Sequence, residues 1–175
     1  TRIRSVKSTK QITKAMQLVA ASKMRKAQES ESASAPYTRT ANEILTYLAS
    51  QGVTDQHPLY EVRETIKSRL LIVVATDKGL AGAYDSNVLK LYTKQLLTDD
   101  KDGVANETIA IGRRANRFVS KLKATKVIAA HQDLPDDPAG SQLRAIVDQA
   151  IEKFESGEVD AVDIVFTEYI SSVNQ

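Results

Sequence analysis

LLIVVATDKGLAGAYDSNVLKLYTKQLL, residues 70–97, sets the fold class. LLIVVA (70–75) is an unbroken apolar, partly β-branched run of the length of a strand buried on both faces, as in a parallel sheet. SNVLKLYTKQLL (86–97) changes to helical spacing. Between them Gly79 and Gly82 predict a tight exposed turn that presents Lys78 and Leu80, with Asp85 or Ser86 capping the helix that follows. A strand, a turn and a helix in that order are the opening of a βαβ unit.

Downstream the pattern repeats. TIAIG (108–112) reads as a strand, RRANRFVSKL (113–122) as a helix, KVIAA (126–130) as a strand, SQLRAIVDQAIEKFES (141–156) as a helix and VDIVFTEYI (162–170) as a strand. Alternation of this kind implies right-handed crossovers and a small doubly wound, mostly parallel sheet flanked by helices.

Upstream the composition is different. Residues 1–49 contain no glycine and one proline, Pro36, and alanine, lysine, glutamine, methionine and leucine dominate the first half. Ala41, Ile44, Leu45 and Leu48 form an i, i+3, i+4, i+7 stripe, so the helix resumes or continues past Pro36 with a kink, and Gly52 is its natural stop. The division expected is a long N-terminal helix over 1–51, a connection over 52–68 and an α/β lobe over 69–175, giving an α/β protein with a helical extension.

Charge is divided unevenly. Residues 1–28 hold eight basic side chains and no acid, while the remainder holds 16 basic and 22 acidic residues and is net −6. A basic arm on a mildly acidic body calls for an acidic partner surface: protein, nucleic acid or anionic lipid. A helix of roughly 50 residues is about 75 Å long, whereas a compact chain of this size is only about 40 Å across, so much of the helix must project. AMQLVAA (15–21) nevertheless places apolar residues around the whole circumference. Something must surround it. Small residues such as Ala15, Ala20, Ala21 and Ala27 admit a second helix at close range.

Several chemistries are excluded or unsupported. With no cysteine there is no disulfide, thiolate metal site or cysteine nucleophile. His57 and His131 lie far apart beside Pro58 and Gln132 and read as loop histidines. The acidic groups Asp99, Asp100 and Asp102, and Asp133, Asp136 and Asp137, read as solvated turns, and Asp137 before Pro138 as a helix start. GLAG is neither G-x-G-x-x-G nor a phosphate loop, so neither a cofactor nor a direct small-molecule substrate is expected. No run reaches a membrane span and no signal-peptide order opens the chain, which reads as non-secreted. The competing reading is a Rossmann-like nucleotide-binding protein whose basic arm binds nucleic acid. Residues 1–36 hold no aromatic side chain on which bases would stack.

Four motifs carry a resemblance. RIRSVKSTKQITKAMQLVAASKMRKAQ (2–28) resembles the N-terminal helix of the γ subunit of F-type ATP synthases, and ATDKGLAGAYDSN (75–87) is similar to that family's S/T-D-R/K-G-L-C-G loop. IAIGRRANRF (109–118) is similar to its strand–glycine–helix step, and DIVFTEYISSVNQ (163–175) to its last strand of this region. The resemblance implies a non-catalytic rotor shaft. Its N- and C-terminal helices form an antiparallel coiled coil inside the hexamer of α and β subunits, and its lobe sits beside an ε-type subunit and the membrane ring of c subunits. It further implies a peripheral location on the cytoplasmic face of the bacterial plasma membrane, in preference to the mitochondrial inner membrane, with no nucleic-acid partner. Carried over by position, Lys10, Lys14, Met16, Val19, Lys23 and Arg25 lie near acidic lever loops of the catalytic subunits, and Lys78, Leu80 and Ala81 lie in a turn facing them. Ala81 stands where the family often has cysteine. Measured against the family, the chain reads as a fragment that begins inside the first helix and lacks the C-terminal one.

Overall fold

The computed structural model describes residues 2–54, 57–135 and 140–169. It divides into two compact units, residues 1–56 and 57–175.

The first unit is α1, Arg2–Ser50, a 49-residue helix with Pro36 inside it and no buried residue. The helix continues through Pro36, which lacks the N–H that would bond the carbonyl four residues earlier. Gly52 ends it as expected. With φ at 69°, Gly52 donates to the Ala49 carbonyl at 3.1 Å while Val53 donates to that of Leu48 at 3.3 Å. This paired closure satisfies the last free carbonyls of the helix.

The second unit begins with a short 3-10 turn, Pro58–Tyr60, capped by His57 Nδ1, which accepts from the Leu59 N–H at 3.2 Å. Four strands and three helices follow: β1 Ser68–Val74, α2 Tyr84–Asp102, β2 Ala105–Ile111, α3 Arg113–Val119, β3 Lys126–His131, α4 Gly140–Glu155 and β4 Ala161–Val165. The sheet is parallel throughout in the order β3-β2-β1-β4. Growth runs outward from β1 to β3 and then returns to the other side of β1. A right-handed crossover in the reversed direction puts α4 on the opposite face from α2 and α3.

The pleat of β1 divides the core accordingly. Leu71, Val73 and Ala75 point to one face and cluster with Val88, Tyr92 and Leu96 of α2 and Ala115 and Val119 of α3. Leu70 and Ile72 point to the other and meet Ile109, Ile146, Ala150 and Val159. Tyr92, fully buried, shares a 2.7 Å hydrogen bond with Thr108, and burial raises the pKa of its phenol.

Several sequence expectations are corrected. α2 extends on both sides of the expected 86–97, and Asp99, Asp100 and Asp102 lie in its last turns rather than in a loop. Asp99 is buried at 2% exposure, with Oδ2 3.1 Å from Arg69 Nε, which desolvates a charge only because a partner is present. The residue at the N-cap of α2 is Ala83, with no side-chain cap; the Ser86 hydroxyl turns back to the Ala83 carbonyl, and Asp85 serves the preceding loop instead. α3 stops at Val119, short of the expected 122. β4 stops at Val165, which pairs with Val73, one residue before β1 itself ends. His131 closes β3 rather than occupying a loop, and its backbone carbonyl accepts from Gly112 N–H at 2.8 Å. Asp136, Asp137, Pro138 and residues 170–175 lie outside the described residues.

Candidate functional site

Two surfaces hold the side chains singled out from the sequence. The first is the basic half of α1. Met16 is 49% exposed and Val19 58%, with Ile12, Leu18 and Met24 exposed around them. Lys10, Lys14, Lys23 and Arg25 are exposed as well, and Arg25 Nε lies 2.9 Å from Glu29 Oε1 one turn on. Thr9 and Thr13 bond the carbonyls of Ser5 and Thr9 on their own helix, at 3.0 and 2.6 Å, and so compete little for outside partners. Arg2, Arg4, Lys7, Lys10 and Lys14 are exposed and no acid occurs before Glu29, a charge pattern that suits recognition of an acidic surface.

The second surface is the turn after β1. Its base is firmly tied. Asp77 Oδ1 accepts from the N–H of Arg113 at 2.9 Å and of Asp133 at 3.0 Å, and Arg113 pairs with the Asp133 carboxylate. Asp85 Oδ1 accepts from the Thr76 N–H at 2.9 Å, and its Oδ2 lies 3.4 Å from Arg114 Nε. The Thr76 hydroxyl donates to the Lys78 carbonyl at 2.6 Å, while the Thr76 carbonyl accepts from Arg114 N–H at 3.0 Å. Gly112 permits the approach. A Cβ there would stand 2.0 Å from the Ala75 carbonyl oxygen, and its φ of +94° disfavours any side chain.

Above this clamp the tip stands free. Lys78, Gly79, Leu80, Ala81 and Gly82 are exposed, Leu80 at 92%. Leu80 adopts φ 67°, a left-handed conformation that costs a residue with a side chain about 1–2 kcal/mol. A strained, outward-pointing leucine on a rigid base suits contact with another surface. The sequence reading named the tip and missed the clamp. Asp77 and Gly112 lie in two separate quoted motifs, and their joint role becomes visible only when β1 and β2 are neighbours.

Among the described residues no group of three or more histidine or carboxylate side chains could hold a metal ion.

Residues 1–175 match the family model described as ATP synthase. The chain belongs to the ATP synthase gamma family. It is 41% identical over 175 residues to the ATP synthase gamma chain of Cupriavidus pinatubonensis, 40% to that of Cupriavidus necator and 38% to that of Ralstonia nicotianae. Each alignment takes in 100% of this chain and 60% of the relative, so the chain spans about three-fifths of the gamma chains it matches. Family membership does not favour the nucleotide-binding alternative. No described helix is long and apolar enough to cross a membrane.

Proposed function

We propose that this chain is part of the central rotor shaft of an F-type ATP synthase. Rotation of a proton-driven ring of c subunits would be carried through it to the α and β subunits, whose catalytic sites hold and release nucleotide according to the shaft's angle. The observation that carries this reading is α1 itself: 49 residues of helix without a buried side chain, apolar around its middle and free of acids over its first turns. Such a helix needs a sheath. In this reading the family's C-terminal helix covers one flank and the hexamer the rest, while Lys10, Lys14, Met16, Val19, Lys23 and Arg25 pass acidic lever loops. Lys78, Leu80 and Ala81 meet the same subunits from the lobe. An ε-type subunit and the c ring adjoin the lobe, and the whole is peripheral on the cytoplasmic face of a bacterial plasma membrane. The subunit itself performs no catalysis and takes no nucleic acid or small-molecule substrate.

The test is a chimera in which residues 1–175 replace the aligned segment of the Cupriavidus necator gamma chain, assembled with that organism's α and β subunits. The shaft reading expects a stoichiometric complex with multi-site ATP hydrolysis. A chimera that folds yet does not enter the hexamer contradicts it.

A further inference from the structure

On the sheet face that bears α2 and α3, the lobe has an open groove of about 600 Å³ that the rotor reading does not use. Leu89 and Phe118, both half-buried against the core, line it together with exposed Leu97. Lys90, Lys94 and Lys101 line it too, and none of its lining residues is acidic. Among the described residues these three lysines make no side-chain ion pair. Residues 108–132 alongside contain five basic residues of α3 and the loop after it, Lys126 of β3, and no acid.

Folding of the lobe does not call for this pattern. Lys90 and Lys94 are four residues apart on one helix face, where like charges weaken the helix. Apolar floor and unpaired cations together describe a surface complementary to something both apolar and acidic. We propose that the groove receives an acidic amphipathic helix from a partner polypeptide, with its apolar stripe on Leu89, Leu97 and Phe118 and its carboxylates on the three lysines.

Shape selects this occupant. The lining of α2 runs from Ser86 to Lys101, about 22 Å along the helix axis, which matches about four turns of a second helix. A membrane surface fits poorly, because two of the three apolar lining side chains, Leu89 and Phe118, are half-buried against the core, and apolar side chains must protrude to enter acyl chains. Single-stranded nucleic acid would need open aromatic faces, and the groove's one aromatic side chain, Phe118, is half-buried.

The inference rests on the shaft reading only in that its test uses the assembled complex: failure to assemble counts against that reading, whereas an assembled complex without the expected contact counts against this one. To test it, the full-length chimera carries p-benzoylphenylalanine in place of Thr98, an exposed residue of the lining, in the assembled membrane-bound complex. After irradiation, mass spectrometry should map the cross-link to a peptide of another subunit with carboxylates and apolar residues at helical spacing. Lys90→Glu with Lys94→Glu should remove that product and leave the melting temperature unchanged, since both side chains are exposed. Reversing the mapped carboxylates to lysine should then restore it. Cross-links to lipid, to the same chain or to a non-acidic segment would overturn the proposal, as would no product or a yield indifferent to charge reversal.

Discussion

Gly112→Ala should destabilise the chain far more than a methyl group added at Gly79, Gly82, Gly103, Gly140 or Gly157. The added Cβ would stand 2.0 Å from the Ala75 carbonyl oxygen, so one backbone must retreat by about 1 Å to reach even the shortest tolerated contact. That movement lengthens two hydrogen bonds beside it, Ala75 N–H to the Ile111 carbonyl at 2.9 Å and Arg114 N–H to the Thr76 carbonyl at 3.0 Å. Losing both costs about 1–3 kcal/mol, and placing alanine at φ +94° with ψ 147° adds about 1–3 more. A total near 4 kcal/mol is a large fraction of ordinary domain stability and lowers the melting temperature by roughly 15 °C. Gly79→Ala is the control. Nothing lies within 4 Å of its Cβ position and its φ is not left-handed, so it should be neutral or slightly stabilising. Thermal unfolding followed by circular dichroism compares the two. If Gly112→Ala melts within 2 °C of Gly79→Ala, on the order of half a kcal/mol, the close approach of the two motif segments is wrong.

Three further outcomes are expected. Hydrogen exchange should be fast throughout residues 2–30 in a demonstrated monomer, because no side chain of α1 is buried, and slow exchange there would contradict the need for an external sheath. In the assembled chimera, Lys14→Ala should change turnover only severalfold, since exposed pairs contribute about 0.2–1 kcal/mol each, whereas Met16→Lys should impair proton pumping at preserved assembly by adding a cation beside the lever loops. Asp160 accepts from the N–H groups of Lys67 and Ser68, at 2.8 and 2.9 Å, and these bonds, the Lys67 one foremost, hold its pKa below the usual aspartate range. Its stabilisation is complete above the unfolded pKa near 3.9 and is lost as pH falls through the lower folded value, so Asp160→Asn should lower the urea midpoint at pH 7 and by progressively less as the pH falls below about 3.9; a gap that does not change with pH would contradict this.

What the sequence made legible follows from where the determining partners lie. Runs such as LLIVVA signal a strand covered on both faces without reference to the rest of the chain, and Gly52 after a glycine-free stretch announces a helix stop locally. Asp99 did not announce itself. Beside Asp100 and ahead of Gly103 it has the composition of a turn, but Gly103 closes the helix instead, and the Arg69 that pays for burying Asp99 comes from β1. The end of β4 is a similar case: Phe166, Thr167 and Tyr169 have the aromatic and β-branched composition of a strand, but the ladder with β1 ends at the Val73–Val165 pair. At the turn, glycines exposed Lys78 and Leu80 to sequence reasoning, whereas the clamp depends on contacts of Asp77 with Arg113 and Asp133, 36 and 56 residues away, and on the approach of Gly112 to Ala75.

A shaft that rotates can be stopped, and a static spacer cannot. The turn at residues 78–82 is the place to apply the tether, because Ala81 is exposed and residues 1–175 contain no cysteine that could compete. Ala81→Cys adds one sulfur atom at an open position and should leave folding and assembly intact. In the complex built with the full-length chimera, a disulfide from Cys at this position to a cysteine placed in the facing lever loop should abolish steady-state ATP hydrolysis, and reduction should restore it. Full multi-site turnover with that disulfide quantitatively in place would show that the turn does not move against the hexamer, and would contradict the rotor account.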